Sequence, residues 1–263
     1  MPPTFSTLLL SRRDNGILVV TLNRPEAANA MNTQLGLDLM ALFEGFSVDL
    51  EGLRVVILTG QGRAFCAGGD LKQRNGMTDE AWQAQHLVFE RMLRAILACP
   101  LPVIAAVNGA AYAGGCEIAA ATDFIYAATE ARFALTEVTL GIMPGAGGTQ
   151  NLARAVGERR AKELILSGLP FSAAEAEQWG LVNRVLPPEE LLPATLEIAE
   201  RIAANGPLSV RQAKQAIHRG LQMSLADGLA FEIEAYNRLV PTEDRREGVR
   251  AFNEKRKPKF EGK

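Results

Sequence analysis

Two short apolar runs, each leading into glycine-bearing sequence, constrain this chain more than any other feature. RVVILTG (54–60) leads to AFCAGGDL, and PVIAAVNG (102–109) leads to AAYAGGCE. A short continuous apolar run closed by glycine reads as a strand buried on both faces. Glycine then lets the main chain approach a partner or ligand closely. Between the two runs, TDEAWQAQHLVFERMLRAIL (78–97) has helical apolar spacing, with Thr78 as N-cap and Glu80 close behind. The succession of strand, glycine loop and helix over 54–128 implies an α/β layered core with mostly parallel pairing.

The flanking sequence fits around such a core. TLLLSRR and ILVVTL (within 7–22) read as two strands joined by an Asp-Asn-Gly turn, and 33–47 has helical spacing through Leu35, Leu39, Leu42, Phe43 and Phe46. FIYAAT (124–129), RFAL (132–135) and LVNRVL (181–186) are further strands, and LGIMPGAGGTQ (140–150) is a turn before a helix. Beyond 151 the pattern is almost wholly helical, and no Pro/Ser-rich linker separates the last part. The expected organisation is a core over 1–190 and a C-terminal helical region over 191–263.

Several function classes are disfavoured by composition. With 48% hydrophobic and 22% charged residues the chain is of globular type. No apolar run approaches the roughly 20 residues of a membrane span. MPPTFSTLLLSRRDNG has no basic region ahead of a long apolar stretch, so no secretory leader is expected. A net charge of −2 gives no electrostatic case for nucleic acid. The basic tail EKRKPKFEGK (254–263) reads either as a solvated terminus or as an anion-binding segment. Cys66, Cys99 and Cys116 form no CxxC pair and fit a reducing, cytoplasmic setting. His86 and His218 stand apart and read as structural or surface residues, so neither a zinc site nor a His-dependent triad is expected. Chemistry is left to carboxylates and backbone.

A phosphate is the obvious ligand for a glycine loop at a helix start. Yet GxxxxGK[ST] is absent, and PGAGGTQ fails GxGxxG because Gln150 stands where the third glycine belongs. The alternative is an oxyanion hole, one N–H from each loop meeting a carbonyl oxygen that becomes negative. Loss of one such donor typically costs about 3–4 kcal/mol. Either loop alone is better explained by a plain turn or by close helix–strand packing.

Two lone carboxylates accompany the loops. Glu117 is the single charge in GAAYAGGCEIAAA (109–121), and Glu137 the single charge between Arg132 and Arg154. Glu117 could simply be a first-turn acid favoured by the helix dipole, and Glu137 could cap a short helix with Thr136 or Thr139. Together, in apolar and glycine-bearing surroundings, they suggest an acid–base pair, one ionised and one protonated.

AFCAGGDLK (64–72), PVIAAVNGAAYAGGCEIAAATD (102–123) and FALTEVTLGIMPGAGGTQNLAR (133–154) closely resemble the crotonase superfamily, specifically enoyl-CoA hydratases. NRPEAANAMN (23–32), AKELILSG (161–168), EAEQWGLVNRV (175–185) and DRREGVRAFNEKRKPKF (244–260) resemble it too, so the likeness covers nearly the whole chain. The resemblance implies a spiral of ββα units with a C-terminal helical extension, assembled as a homotrimer or a dimer of trimers. It implies an acyl-CoA thioester substrate, with coenzyme A part of that substrate, no tightly bound cofactor and no metal.

By position, the resemblance implies that Gly69 and Gly114 are the two oxyanion donors and that Glu117 and Glu137 add water across Cα=Cβ of a 2-enoyl-CoA. Glu117 would orient and deprotonate the water, and Glu137 would deliver the proton to Cα. Substrate contacts are implied for Ala27, Ala28, Ala67, Gly68, Asp70, Leu71, Lys72, Tyr112, Gly115 and Gly145. Lys257 and Lys259 match loosely a basic tail near the CoA phosphates. Gly69 stands where the best-known hydratases have Ala, and Tyr112-Ala113 replaces a common Leu-Gly. Tyr112 either lines the acyl pocket, donates a hydrogen bond, or packs in the core. The tail and AKELILSG also resemble hydratases of branched or dicarboxylic enoyl-CoA such as 3-methylglutaconyl-CoA. An enoyl-CoA isomerase would need only an acid–base group at 137, and a silent CoA- or RNA-binding member would need neither glutamate.

Overall fold

The computed structural model describes residues 5–263. Leu8–Arg12 (β1) and Ile17–Leu22 (β2) form an antiparallel hairpin, with Leu8 opposite Leu22 and Arg12 opposite Leu18. Its Asp-Asn-Gly turn ends on Gly16 at φ +79°, a conformation that costs glycine nothing. Helix α1 (Thr33–Gly45) follows, N-capped by the Asn32 side chain, which accepts from the Leu35 N–H.

Three successive units then repeat one plan. Val55–Gly60 (β3) and Ala64–Cys66 (β4) precede the single-turn helix α2 (Leu71–Arg74) and the long helix α3 (Asp79–Ala98). Val103–Val107 (β5) and Ala110–Tyr112 (β6) precede α4 (Gly114–Ala120). Phe124–Ala128 (β7) and Arg132–Ala134 (β8) precede a 3-10 turn at Glu137–Leu140, then α5 (Gly148–Val156) and α6 (Glu158–Ser167). As expected, Thr78 caps α3 by accepting from the Ala81 N–H at 3.2 Å.

The first strand of each unit joins one sheet and the second strand joins another. The larger sheet has the order β1-β2-β3-β5-β7-β10, where β10 is Arg184–Leu186, and it is parallel beyond the hairpin. The smaller sheet has the order β4-β6-β8-β9, with Phe171–Ser172 as β9. This stepwise sharing is the expected α/β spiral of ββα units. The stretches 60–70 and 109–113 read as plain loops in sequence, but each contains a three-residue strand. Those strands lie side by side, Ala64 opposite Ala110 and Cys66 opposite Ala111. Their pairing brings the two glycine loops that follow them to one edge of the small sheet.

Strands β3 and β5 are buried throughout or nearly so, as parallel strands covered on both faces must be. After α7 (Ala173–Gln178) and β10, helix α8 (Pro188–Ala203) lays Leu191, Thr195, Ala199 and Ala203 against the large sheet. Residue 190, expected to end the core, therefore falls inside a helix that covers it. Helices α9 (Pro207–Gly220), α10 (Leu225–Asn237) and α11 (Glu243–Asn253) bury little by comparison, and α9 buries no residue fully. Among the described residues no helix is long and apolar enough to cross a membrane.

Candidate active site

Helix α4 packs so tightly onto β4 that a Cβ at Gly115 would lie 2.1 Å from the Cys66 carbonyl oxygen. Only glycine fits there, which makes Gly115 a packing residue rather than part of a cavity wall. The chain enters α4 through Ala113 at φ 47°, ψ −122°, a conformation strained for alanine. One turn later Glu117 projects from α4 into the interior, 3% exposed.

Glu117 is not alone there. Its Oε1 accepts N–H bonds from Ala146 and Gly148, each at 2.8 Å. Gly148 is the first residue of α5, so its N–H has no acceptor within its own helix and carries the positive end of the dipole. Burial pushes the Glu117 pKa up, while these two bonds and the nearby Arg74 charge oppose it without cancelling it.

Glu137 opens the 3-10 turn after β8 and is 7% exposed. It caps nothing through Thr136, whose side chain makes no capping bond. Its Oε2 is buried with no hydrogen-bond partner among the described residues. Burial, reinforced by the Glu117 charge, pushes its pKa up to about 7 against the pull of its own backbone N–H and Arg74. One carboxylate is thus held by two donors that favour its anion. The other keeps an uncommitted oxygen and changes charge near neutrality, an arrangement suited to acid–base chemistry.

Both glutamates line a cavity of about 600 Å³, together with Gly69, Gly114, Ala67, Leu71 and Gly145. The N–H groups of Gly69 and Gly114 donate to no backbone acceptor among the described residues. Seven of the other implied substrate contacts lie outside this wall, as do Lys257 and Lys259. Gly68, at φ +93°, packs its loop against Ala113. Asp70 caps α2 and pairs with Arg24 at 2.9 Å. Ala27 and Ala28 end a 3-10 turn, and the Ala28 carbonyl accepts from the Ala67 N–H at 3.0 Å. Lys72 is exposed, and Tyr112 sits half-buried on β6 opposite Ala134. Cys66, Cys99 and Cys116 are buried free thiols, and burial pushes Cys66 and Cys99 up to about 11 and Cys116 higher still.

Among the wall members that the sequence reading missed are Arg74, Trp82 and His86. His86 was expected to be structural or superficial. Instead it faces this cavity, packed so closely on Gly145 that a Cβ there would lie 2.5 Å from its Cε1. A helical-face reading of α3 would have found it, because Trp82, His86 and Phe89 recur at i, i+4 and i+7 and all line the cavity.

A family model described as enoyl-CoA hydratase/isomerase matches residues 12–263. The chain belongs to the enoyl-CoA hydratase/isomerase family. An enoyl-CoA hydratase structure from Bacillus anthracis superposes with a TM-score of 0.95 at 44% identity, covering 98% of this chain and 100% of that one. The 2,3-dehydroadipyl-CoA hydratase of Escherichia coli is 42% identical over 98% of this chain and 100% of its own length. The short-chain-enoyl-CoA hydratase of Clostridium acetobutylicum is 42% identical over 95% of each chain. Members of the hydratase/isomerase family thus share this fold over nearly its full length, and the crotonase-type spiral expected from the motifs is the architecture observed.

Proposed function

We propose that the protein is an enoyl-CoA hydratase, adding water across the Cα=Cβ bond of a 2-enoyl-CoA thioester to give a 3-hydroxyacyl-CoA. The observation that carries this reading is the convergence on one cavity of Glu117, Glu137 and two glycines, Gly69 and Gly114, with uncommitted N–H groups. The thioester carbonyl accepts from those N–H groups, which draws electron density from Cβ. Glu117, as the anion, takes a proton from water as its hydroxyl bonds to Cβ. Glu137, protonated, delivers a proton to Cα. Both carboxyl groups then exchange protons with solvent to return to their starting states. The two titrate as a coupled pair, so their charge states belong to the pair.

Coenzyme A runs along Ala27, Ala28 and the 67–72 loop in this reading. The helices after α8 mediate a homotrimer or a dimer of trimers, supported by the exposed Ile217, Leu229, Ile233 and Phe252. The family also contains isomerases, but Glu117 and its two-donor cradle would have no task in a reaction that needs only the 137 position.

Hydration of crotonyl-CoA tests the proposal. Glu117→Gln and Glu137→Gln should each lower turnover by about 100-fold or more, with acyl-CoA binding retained. Both variants within a few-fold of wild type, or faster isomerisation of a 3-enoyl-CoA than hydration of a 2-enoyl-CoA, would overturn it.

A further inference from the structure

The segment 24–31 is folded around one side chain. Asn29 is fully buried at φ +56°, a left-handed conformation that asparagine tolerates better than most residues. Its Oδ1 accepts from the Arg24 N–H at 2.8 Å, and its Nδ2 donates to the carbonyls of Gln61 at 2.9 Å and Ala64 at 2.8 Å. Its own N–H donates to the Arg24 carbonyl at 2.8 Å. A buried amide is tolerated because its polar groups are paired in this way. The one side chain closes the segment on itself and fastens it to both ends of the turn between β3 and β4.

The far end of the segment lies along the first glycine loop. The Ala67 N–H donates to the Ala28 carbonyl at 3.0 Å, the Met31 N–H to the Gly68 carbonyl at 2.7 Å, and the Asp70 N–H to the Met31 carbonyl at 2.9 Å. Met31 thus brackets Gly69 as a parallel bridge, bonding to the residues on either side of it. The Gly69 N–H takes no part in this ladder and is turned from the segment. Arg24 secures the same ladder by pairing with Asp70 at 2.9 Å and donating to the Ala30 carbonyl. The Met31 side chain reaches the second loop, where a Cβ at Gly114 would lie 2.3 Å from its Cε.

An oxyanion donor has to be held where charge develops, and a misplacement of about 1 Å can cost about 100-fold in rate. The sequence CAGGD (66–70) has too much freedom to hold an N–H by itself. Asn29 does not line the cavity, so any influence it has on the reaction passes through the loop. We infer that Asn29 is a positioning residue for the Gly69 N–H, acting through the 24–31 segment. This inference rests on the oxyanion reading of the cavity within the proposed hydratase.

The thioester carbonyl reports the donor directly. Infrared difference spectroscopy of bound butyryl-CoA, isotope-labelled at its carbonyl carbon, should show a stretch below that of the free thioester in wild type. Asn29→Gly suits the left-handed backbone and removes the side-chain bonds. It should raise the stretch part of the way to the free value, with Gly114 still donating. Crotonyl-CoA turnover should fall by about 10- to 100-fold, while butyryl-CoA affinity changes by less than about threefold. Asn29→Asp, which keeps the shape and the acceptor but cannot make both donations, should move the stretch in the same direction. If neither variant folds, Arg24→Met, which frees the same segment at Asp70, is read by the same criteria. A residue that only supported the fold would lower Tm and leave the stretch of the folded variant at the wild-type value. That result, or a loss of affinity equal to the loss of turnover, would overturn the inference and leave the hydratase reading standing. A wild-type stretch equal to that of the free thioester would remove the Gly69 donor and the inference with it. A stretch that moves as expected in a protein that hydrates no 2-enoyl-CoA would keep the inference and remove the hydratase reading.

Discussion

The Gly148 N–H, at the first residue of α5, donates to Glu117 Oε1 at 2.8 Å, so the end of one helix holds a carboxylate carried by another. The Ala146 N–H reaches the same oxygen. Orientation of the carboxylate therefore comes from main chain and is insensitive to side-chain chemistry in the loop. It is sensitive to space: a Cβ at 148 would lie 2.9 Å from Oε1 and 3.0 Å from Cγ of Glu117. Gly148→Ala should turn the carboxylate away and lower kcat by about 10- to 100-fold in steady-state hydration, with less change in KM. Wild-type turnover would mean the two N–H groups do not position the base.

The rate of hydration should fall on both sides of neutrality. Glu137 acts protonated, so activity is lost as pH rises through its raised pKa of about 7. Glu117 acts ionised, so activity is also lost on the acid side, where its own raised pKa is passed. Removing the Arg74 charge takes away an influence that lowers both, so Arg74→Met should move the basic limb of kcat/KM to higher pH. A flat profile between about pH 6 and 9 would contradict these roles.

Glu137 should also cost the fold stability in alkali. Its folded pKa lies above the ordinary value, so the folded state binds the proton more tightly than the unfolded chain. The stabilisation is complete below about pH 4.5 and is lost as pH rises through about 7, where the buried carboxyl must ionise. Glu137→Gln, which cannot ionise, should raise Tm relative to wild type at pH 8 by a few degrees, with little difference at pH 4.5. Equal Tm differences at the two pH values would count against burial as the cause of the shift.

What was legible in sequence follows from locality. The hairpin turn at Gly16, the Thr78 cap and the buried runs at 54–60 and 102–109 are each encoded within a few adjacent residues. Glu117 and Glu137 stood out because a charge among alanines and glycines is conspicuous by itself. Strands β4 and β6 were not legible, since three residues carry no period and their identity comes from pairing with each other 46 positions apart, as Ala64 with Ala110. The donors to Glu117 come from 29 and 31 residues away. Arg74 sits in the polar string DLKQRN, which reads as solvated surface, and only the packing of α3 turns it inward.

Ala113 offers a test of strain at the mouth of α4. At φ 47°, ψ −122° its Cβ is crowded by neighbouring backbone, a state that commonly costs about 1–3 kcal/mol. Ala113→Gly relieves this at the expense of greater freedom in the unfolded chain, about 0.5–1 kcal/mol. The net expectation is a rise in Tm of up to about 4 °C in thermal unfolding. A fall in Tm would show that contacts of the Ala113 methyl, among them its closeness to the Gly68 loop, outweigh the strain.

Gly69 and Arg74 should behave as one unit. Gly69 adopts an ordinary backbone conformation, so alanine there keeps the N–H aimed at the thioester oxygen. What changes is the room for Arg74, whose Nη1 and Cζ would sit 3.1 and 3.2 Å from the new Cβ. The guanidinium cannot simply withdraw, because Trp82 backs it at 4.3 Å and Gln85 holds its Nε at 2.9 Å. Gly69→Ala should therefore push the guanidinium from its place and move the basic limb of kcat/KM toward that of Arg74→Met. In an Arg74→Met background the same change should leave that limb where it was. Residues in contact give interaction energies of about 0.5–3 kcal/mol in such a cycle, whereas independent positions add. Additive effects on the limb would mean that the missing side chain at 69 serves something other than the place of Arg74.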